Sequence, residues 1–186
     1  MGNGAGDPRL RARVLPVRLM IFDVDGVLTD GSIIYHDDGS ESKIFHVHDG
    51  HGIRLIQRVG IEVAFITGRS CKAVEHRARN LGITRLYQGI HHKVEVYERL
   101  LSDTGFVDQQ VGYVGDDLID VPVLRRVGFP VAVSGAAQDV IDHACYVTTA
   151  KGGRGACREV CELLLKIQGL WEQATWPYLG KETSAI

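Results

Sequence analysis

The chain has 186 residues, with 21 Lys plus Arg against 23 Asp plus Glu and a formal net charge of −2. At 45% apolar and 24% charged it has the composition of one globular domain, without the basic excess of a nucleic-acid binder or the ~18 consecutive apolar residues of a membrane span. Glycine is the outlier: 22 residues, about 12% against a usual ~7%, which points to tight turns and close backbone approaches.

Residues 1–16 are rich in Gly and Arg and lack an apolar stretch of ~7 to 15 residues, so they are expected to form a flexible arm and not a secretory signal. The opening Met-Gly-Asn-Gly-Ala-Gly has Gly6 where a myristoylation start needs Ser or Thr. From Val17 onward short apolar runs alternate with amphipathic stretches. Strands are predicted at Val17–Phe22, Val63–Ile66, Val111–Val114 and Val131–Val133, and helices at Gly52–Val59, Ser70–Leu81, His92–Leu101, Asp120–Val127 and Gly155–Ile167. That alternation predicts an α/β, doubly wound and mainly parallel sheet over a core domain of residues 17–168. Ser32–His36 and Glu41–Val47, joined by Asp37-Asp38-Gly39, interrupt it as a projecting β-hairpin. Residues 169–186 form a tail whose Trp171, Trp176 and Tyr178 call for burial on this subunit or on a neighbour. The four cysteines, Cys71, Cys145, Cys157 and Cys161, include no Cys-x-x-Cys pair and read as reduced thiols, which predicts a cytoplasmic protein.

Ligands of open α/β sheets gather beyond the carboxyl ends of the strands. The first predicted strand delivers Asp23-Val24-Asp25 there, the second Thr67-Gly68-Arg69, and the third Asp116-Asp117 with Asp120 close behind. One Asp at a strand end often only caps the next helix. Several carboxylates converging on one spot repel one another unless a cation neutralises them, and hard oxygen ligands select Mg²⁺. Lys93 follows between the second and third units, where an ammonium group can meet a phosphate.

This ordered set of four motifs, from Leu19 to Gln168, resembles the haloacid dehalogenase superfamily of phosphotransferases. The resemblance implies a Rossmann-like core in which Asp23 is the nucleophile, Asp25 the general acid and base, and Thr67 and Lys93 hold the transferring oxygens. It places Mg²⁺ on Asp23, Asp25 through its backbone carbonyl, and Asp116, with Asp117 and Asp120 as a supporting shell that orients Lys93 or the metal's waters. A plain helix-start role is equally open for Asp120. Only 43 residues separate Asp23 from Thr67 and 25 separate Thr67 from Lys93, too few for an added cap domain of ~50 residues. A capless site needs cover from another subunit.

Asp-Val-Asp-Gly-Val-Leu-Thr-Asp-Gly, the segment Lys43–Arg54, Ile-Thr-Gly-Arg, Leu-Gly-Ile-Thr-Arg-Leu-Tyr-Gln-Gly, Tyr-Val-Gly-Asp-Asp-Leu-Ile-Asp and Gly-Gly-Arg-Gly-Ala-Cys-Arg-Glu-Val together are similar to one capless, homotetrameric family. Its members are the 3-deoxy-D-manno-octulosonate 8-phosphate phosphatases of lipopolysaccharide biosynthesis. The substrate implied is a small phosphorylated keto sugar acid, bound by Asp25, Lys93, the loop His46, Val47, His48, Asp49 and Gly50, and Arg54, Arg69 and Arg77. Arg154, in the stretch Lys151–Gly155, is implied to approach a neighbouring site. The family loop usually reads Asn-Val-Arg/Lys-Asp-Gly, so His46 and His48 are departures, and a His carries only part of a charge near neutral pH. The alternatives are a sister phosphatase for nine-carbon sialic-acid 9-phosphates, whose members carry Glu where this chain has Arg69, and a non-catalytic assembly module.

Overall fold

The four apolar runs form the middle of a parallel sheet in the computed structural model, which describes residues 6–180. Its strands in chain order are β1 (Leu19–Phe22), the short pair β2 (Ile34–Tyr35) and β3 (Glu41–Ser42), β4 (Glu62–Ile66), β5 (Arg85–Tyr87), β6 (Val111–Gly115), β7 (Phe129–Ser134) and β8 (Tyr146–Lys151). The helices are α1 (Pro8–Val14), α2 (Val47–Arg58), α3 (Lys72–Leu81), α4 (Lys93–Thr104), α5 (Val121–Leu124), α6 (Gln138–His143), α7 (Ala156–Ile167) and α8 (Trp171–Leu179). Six strands make one sheet in the order β5-β4-β1-β6-β7-β8, each neighbouring pair parallel.

Successive strand residues point to opposite faces, and both faces are buried. Met20 and Phe22 of β1, with Val63 and Phe65 of β4, pack under α1, α2, α3 and α7. Leu19, Ile21, Ala64 and Ile66 pack on the other side with Val96, Tyr97 and Leu100 of α4 and with Val121, Val123 and Leu124 of α5. Each large apolar side chain so buried contributes roughly 1.5–3 kcal/mol, which is why these strands read as unbroken apolar runs. The chain builds outward in one direction through β4 and β5 and in the other through β6, β7 and β8. The reversal lies between β1 and β6, where the carboxyl ends splay apart and a crevice opens.

The projecting hairpin is present, with Ile34 opposite Ser42 and Tyr35 opposite Glu41. Between Asp23 and Thr67 stand only this hairpin, α2 and β4, and between Thr67 and Lys93 only α3 and β5, so no cap domain is inserted. Three expectations need correction. The segment read as a flexible arm contains α1: Asp7 caps it by accepting from Arg9 N at 2.9 Å, Pro8 opens it, and Leu10 and Val14 are buried against α7. The tail forms α8 as far as Leu179; Ala174 and Thr175 are buried while Trp176, Tyr178 and Leu179 are exposed. The rest of both expected segments, 1–5 and 181–186, lies outside the described residues. The stretch expected as a substrate loop, His46–Gly50, is the N-cap and first turn of α2, which starts five residues earlier than its apolar periodicity shows.

Candidate active site

Asp23 follows the last residue of β1, Thr67 the last of β4 and Asp116 the last of β6, so three adjacent strands deliver them to the crevice. Asp23 is fixed through its backbone, whose N–H donates to Val114 O at 3.0 Å. Lys93 opens α4 and is buried, although the helix begins at the edge of the site. Its ammonium donates to Asp23 Oδ1 at 2.5 Å, Asp120 Oδ1 at 2.6 Å and the Tyr113 hydroxyl at 3.1 Å, so all its hydrogens have partners. Thr67 is buried beside them and its hydroxyl oxygen accepts from Arg69 N at 3.3 Å.

Asp120 is fully buried and spends both oxygens: Oδ1 on Lys93 and the Tyr113 hydroxyl, the latter at 2.6 Å, and Oδ2 on the backbone N–H groups of Asp116 and Asp117 at 3.0 and 3.3 Å. It therefore orients Lys93 and shapes the loop that carries Asp116, and the plain helix-start reading does not suffice. Asp117 does not join it. Its exposed side chain accepts from Leu118 N at 2.8 Å and caps the short turn Leu118–Asp120. Tyr113, which reads in the sequence as an ordinary core aromatic, is a missed member of the network.

One carboxylate oxygen from each of Asp23, Asp116 and Asp120 lies within 4.8 Å of the others. Burial pushes the Asp23 carboxyl up to about 7 despite Lys93, with the Asp120 charge adding to the rise. Asp116 is pushed up to about 8, first by burial and then by the charges of Asp23 and Asp120. The protein alone thus provides too little positive charge for its own acids. Asp116's carboxylate has no hydrogen-bond partner among the described residues, whereas those of Asp120 are all taken. A hard divalent cation fits this donor set, with Asp23 and Asp116 as its side-chain ligands.

Glycine permits the close packing here. Gly26 has φ +91°, and a Cβ on it would strike the Asp116 carboxylate; a Cβ on Gly152 would strike the Gly26 carbonyl. The segment Lys151–Gly155 thereby lies against the loop after β1. With Gly26, Asp30, Asp116, Val133, Ser134 and Gly135, it borders a pocket of about 290 Å³ whose mouth carries Lys151 and Arg154. Arg154 is 3.3 Å from Asp30 of the same chain.

The expected substrate contacts divide. Arg69 reaches the hairpin, donating to Glu41 at 2.5 Å and the Tyr35 hydroxyl at 3.0 Å. Arg77 donates to the His46 carbonyl at 3.1 Å and Arg54 to the Asn80 carbonyl, so both guanidinium groups tie α2 and α3 together. Val47 and His48 are exposed, and the His48 ring stands edge-on to His46 at 5.2 Å. Gly50 is buried under the Arg77 guanidinium. Asp49 has a structural task in addition to the expected one: it is buried, and its carboxylate accepts from Gly155 N at 3.1 Å and Arg158 N at 2.8 Å. It caps α7 from another element, since Gly155 has no side chain to cap its own helix. A further missed residue is Lys43, just after β3, whose ammonium is ion-paired with Asp25.

Residues 85–156 match the model of the haloacid dehalogenase-like hydrolase family. The chain is 51% identical over 163 residues to the 3-deoxy-D-manno-octulosonate 8-phosphate phosphatase of Escherichia coli K12, covering 88% of this chain and 87% of that one. Among solved structures, the phosphatase of the same name from Yersinia pestis superposes with a TM-score of 0.87 at 48% identity, covering 89% of both chains. That of Moraxella catarrhalis, in complex with magnesium, phosphate and KDO, superposes at 0.88 with 38% identity, covering 91% of this chain and 97% of that one.

Proposed function

Because the chain belongs to the 3-deoxy-D-manno-octulosonate 8-phosphate phosphatase family of the haloacid dehalogenase-like hydrolases, we propose that it hydrolyses that phosphate ester to 3-deoxy-D-manno-octulosonate and phosphate. The reaction serves lipopolysaccharide biosynthesis. The observation that carries this reading is the buried Lys93 bridging Asp23 and Asp120, with the unpartnered Asp116 carboxylate beside them.

Asp23 attacks phosphorus with a carboxylate oxygen, and the P–O bond to the sugar breaks with its electron pair leaving on the sugar oxygen. Asp25 gives that oxygen a proton, since an alkoxide is a poor leaving group. Water then attacks the aspartyl phosphate, Asp25 takes its proton, and Asp23 is regenerated with release of phosphate. Thr67 and Lys93 hold the phosphoryl oxygens, and Asp120 and Tyr113 hold Lys93 in place. Magnesium is the cofactor; Asp23, the Asp25 backbone carbonyl and Asp116 would hold it, and bound there it would supply the positive charge that offsets the acids and the phosphate.

Arg69 is proposed to meet the substrate carboxylate, because its fork already engages the carboxylate of Glu41. His46, Val47 and His48, with Arg54 and Arg77 behind them, form the adjoining wall. A homotetramer is proposed on the exposed apolar surface of the hairpin side, Ile33, Ile34, Tyr35, Ile44 and Val47, and of α8, Trp176, Tyr178 and Leu179. Arg154 would lie near a neighbour's site. A cytoplasmic setting is supported by four cysteines that are all free. No described helix is long and apolar enough to cross a membrane.

The test is phosphate release from 3-deoxy-D-manno-octulosonate 8-phosphate and from N-acetylneuraminate 9-phosphate, each with Mg²⁺ and with EDTA. Faster, EDTA-sensitive turnover of the eight-carbon ester is expected. Preference for the nine-carbon ester would overturn the substrate, and turnover unaffected by EDTA would overturn the mechanism.

A further inference from the structure

The ion pair between Lys43 and Asp25 joins the hairpin to the reaction centre. Lys43 lies directly after β3, and its side chain is only 1% exposed although the hairpin stands at the surface. Asp25 Oδ1 is its one hydrogen-bond partner among the described residues. Burying an ammonium group is unfavourable by several kcal/mol unless a partner compensates, so a fold gains little from such a placement unless the charge has a task. The other oxygen of the same carboxylate, Oδ2, is buried and has no hydrogen-bond partner among the described residues. One oxygen is held and the other is left without a partner. The hairpin end that carries Lys43 is itself anchored, since Glu41 meets Arg69 at 2.5 Å and the Cys71 thiol contacts the Glu41 carbonyl.

We propose that Lys43 is a positioning residue for Asp25: by pinning Oδ1 it fixes the rotation of the carboxyl group so that Oδ2 faces the bridging oxygen of the scissile phosphate ester. The inference rests on the reading of Asp25 as the general acid. In the step concerned, the P–O bond breaks with its electron pair on the sugar oxygen, and the proton on Asp25 Oδ2 passes to that oxygen. Rotation of the carboxyl group would lengthen this transfer without touching Asp23, Lys93 or the phosphoryl oxygens. An alkyl ester needs the proton, whereas p-nitrophenolate leaves readily without one.

The experiment compares kcat/KM, which reports the enzyme up to loss of the leaving group, for 3-deoxy-D-manno-octulosonate 8-phosphate and p-nitrophenyl phosphate. General acid catalysis contributes typically about 10²–10⁴-fold, so Lys43→Met is expected to lower kcat/KM on the sugar ester by roughly 30-fold or more and on the aryl ester by less than about threefold. Lys43→Arg, which keeps the charge, is expected to recover most of the loss. Retained aryl-ester turnover also shows that the variant is folded. Equal losses on both esters in both variants, or no loss on the sugar ester, would overturn the proposal. Asp25→Asn, measured in parallel, separates the two readings. Selective loss there with uniform loss in the Lys43 variants refutes the role of Lys43 alone, and absence of selectivity in Asp25→Asn refutes the general-acid reading beneath it.

Discussion

Replacing Asp116 by Asn tests whether the acid cluster is a source of instability that a cation relieves. The Asp116 carboxyl is raised from an ordinary 3.8 to about 8, by burial first and by the neighbouring charges of Asp23 and Asp120 next. A carboxyl with a raised folded-state pKa binds more protons in the folded than in the unfolded chain, so it destabilises the fold increasingly as pH rises from about 4 to about 8. Across that span of about four units the ceiling is roughly 6 kcal/mol, at about 1.4 kcal/mol per unit. Asp116 is partly open to solvent, and screening reduces this to ~2 kcal/mol. Among the described residues its side chain makes no hydrogen bond that Asn would break. For a chain of this length ~2 kcal/mol corresponds to a Tm higher by about 4–8 °C. Thermal unfolding in EDTA at pH 8 should therefore find Asp116→Asn more stable than the parent, with the difference shrinking to under about 1 kcal/mol at pH 5. In saturating Mg²⁺ the order should reverse, because only the parent gains binding energy. A variant no more stable than the parent at pH 8 in EDTA, or a gain independent of pH, would refute the reasoning.

With Asp23 near 7 and Asp116 near 8, Mg²⁺ binding at pH 7 should release roughly one to two protons. Calorimetry in buffers of different ionisation enthalpy reads this directly, and heats that do not change with the buffer contradict it. Asp49→Ala leaves the N–H groups of Gly155 and Arg158 without their acceptor and should destabilise the fold by ~2–4 kcal/mol in urea unfolding; an unchanged midpoint would show that the cap across elements is unimportant. Lys93→Met leaves Asp23 and Asp120 to repel each other across a buried gap, so turnover should fall by about 10³-fold or more while the variant's stability in EDTA recovers as pH is lowered. A loss below tenfold would contradict the role of Lys93.

What could be read from the sequence was local or periodic. Asp23-Val24-Asp25, Thr67 and Asp116 each stand beside a continuous apolar run, and runs buried on both faces are unmistakable strands, while Lys93 opens an amphipathic helix between two of them. The outer strands were hidden because an edge is covered on fewer sides: β5 is only half-buried, and β8 carries Thr148, Thr149 and Lys151. In α1 the three Arg residues masked a narrow apolar stripe of Leu10 and Val14. The early start of α2 was concealed by Gly50 and Gly52, which weaken a helix in isolation but here lie under Arg77 and against α7. Lys43, Tyr113 and the true partners of Asp49 depend on contacts between residues far apart in the chain. A lone Lys in a hairpin carries no signal that an acid 18 residues earlier will receive it. His48 is exposed, with its ring edge-on to His46.

The central claim is that Asp23 carries the phosphoryl group in the course of hydrolysis. Rapid mixing of the Mg²⁺-loaded protein with 3-deoxy-D-manno-octulosonate 8-phosphate, followed by an acid quench and peptide mass analysis, should place a phosphoryl group on the peptide containing Asp23. The Asp23→Asn protein should remain folded and show neither the adduct nor phosphate release. Full turnover by Asp23→Asn, or a phosphoryl group found on another residue, would contradict the account.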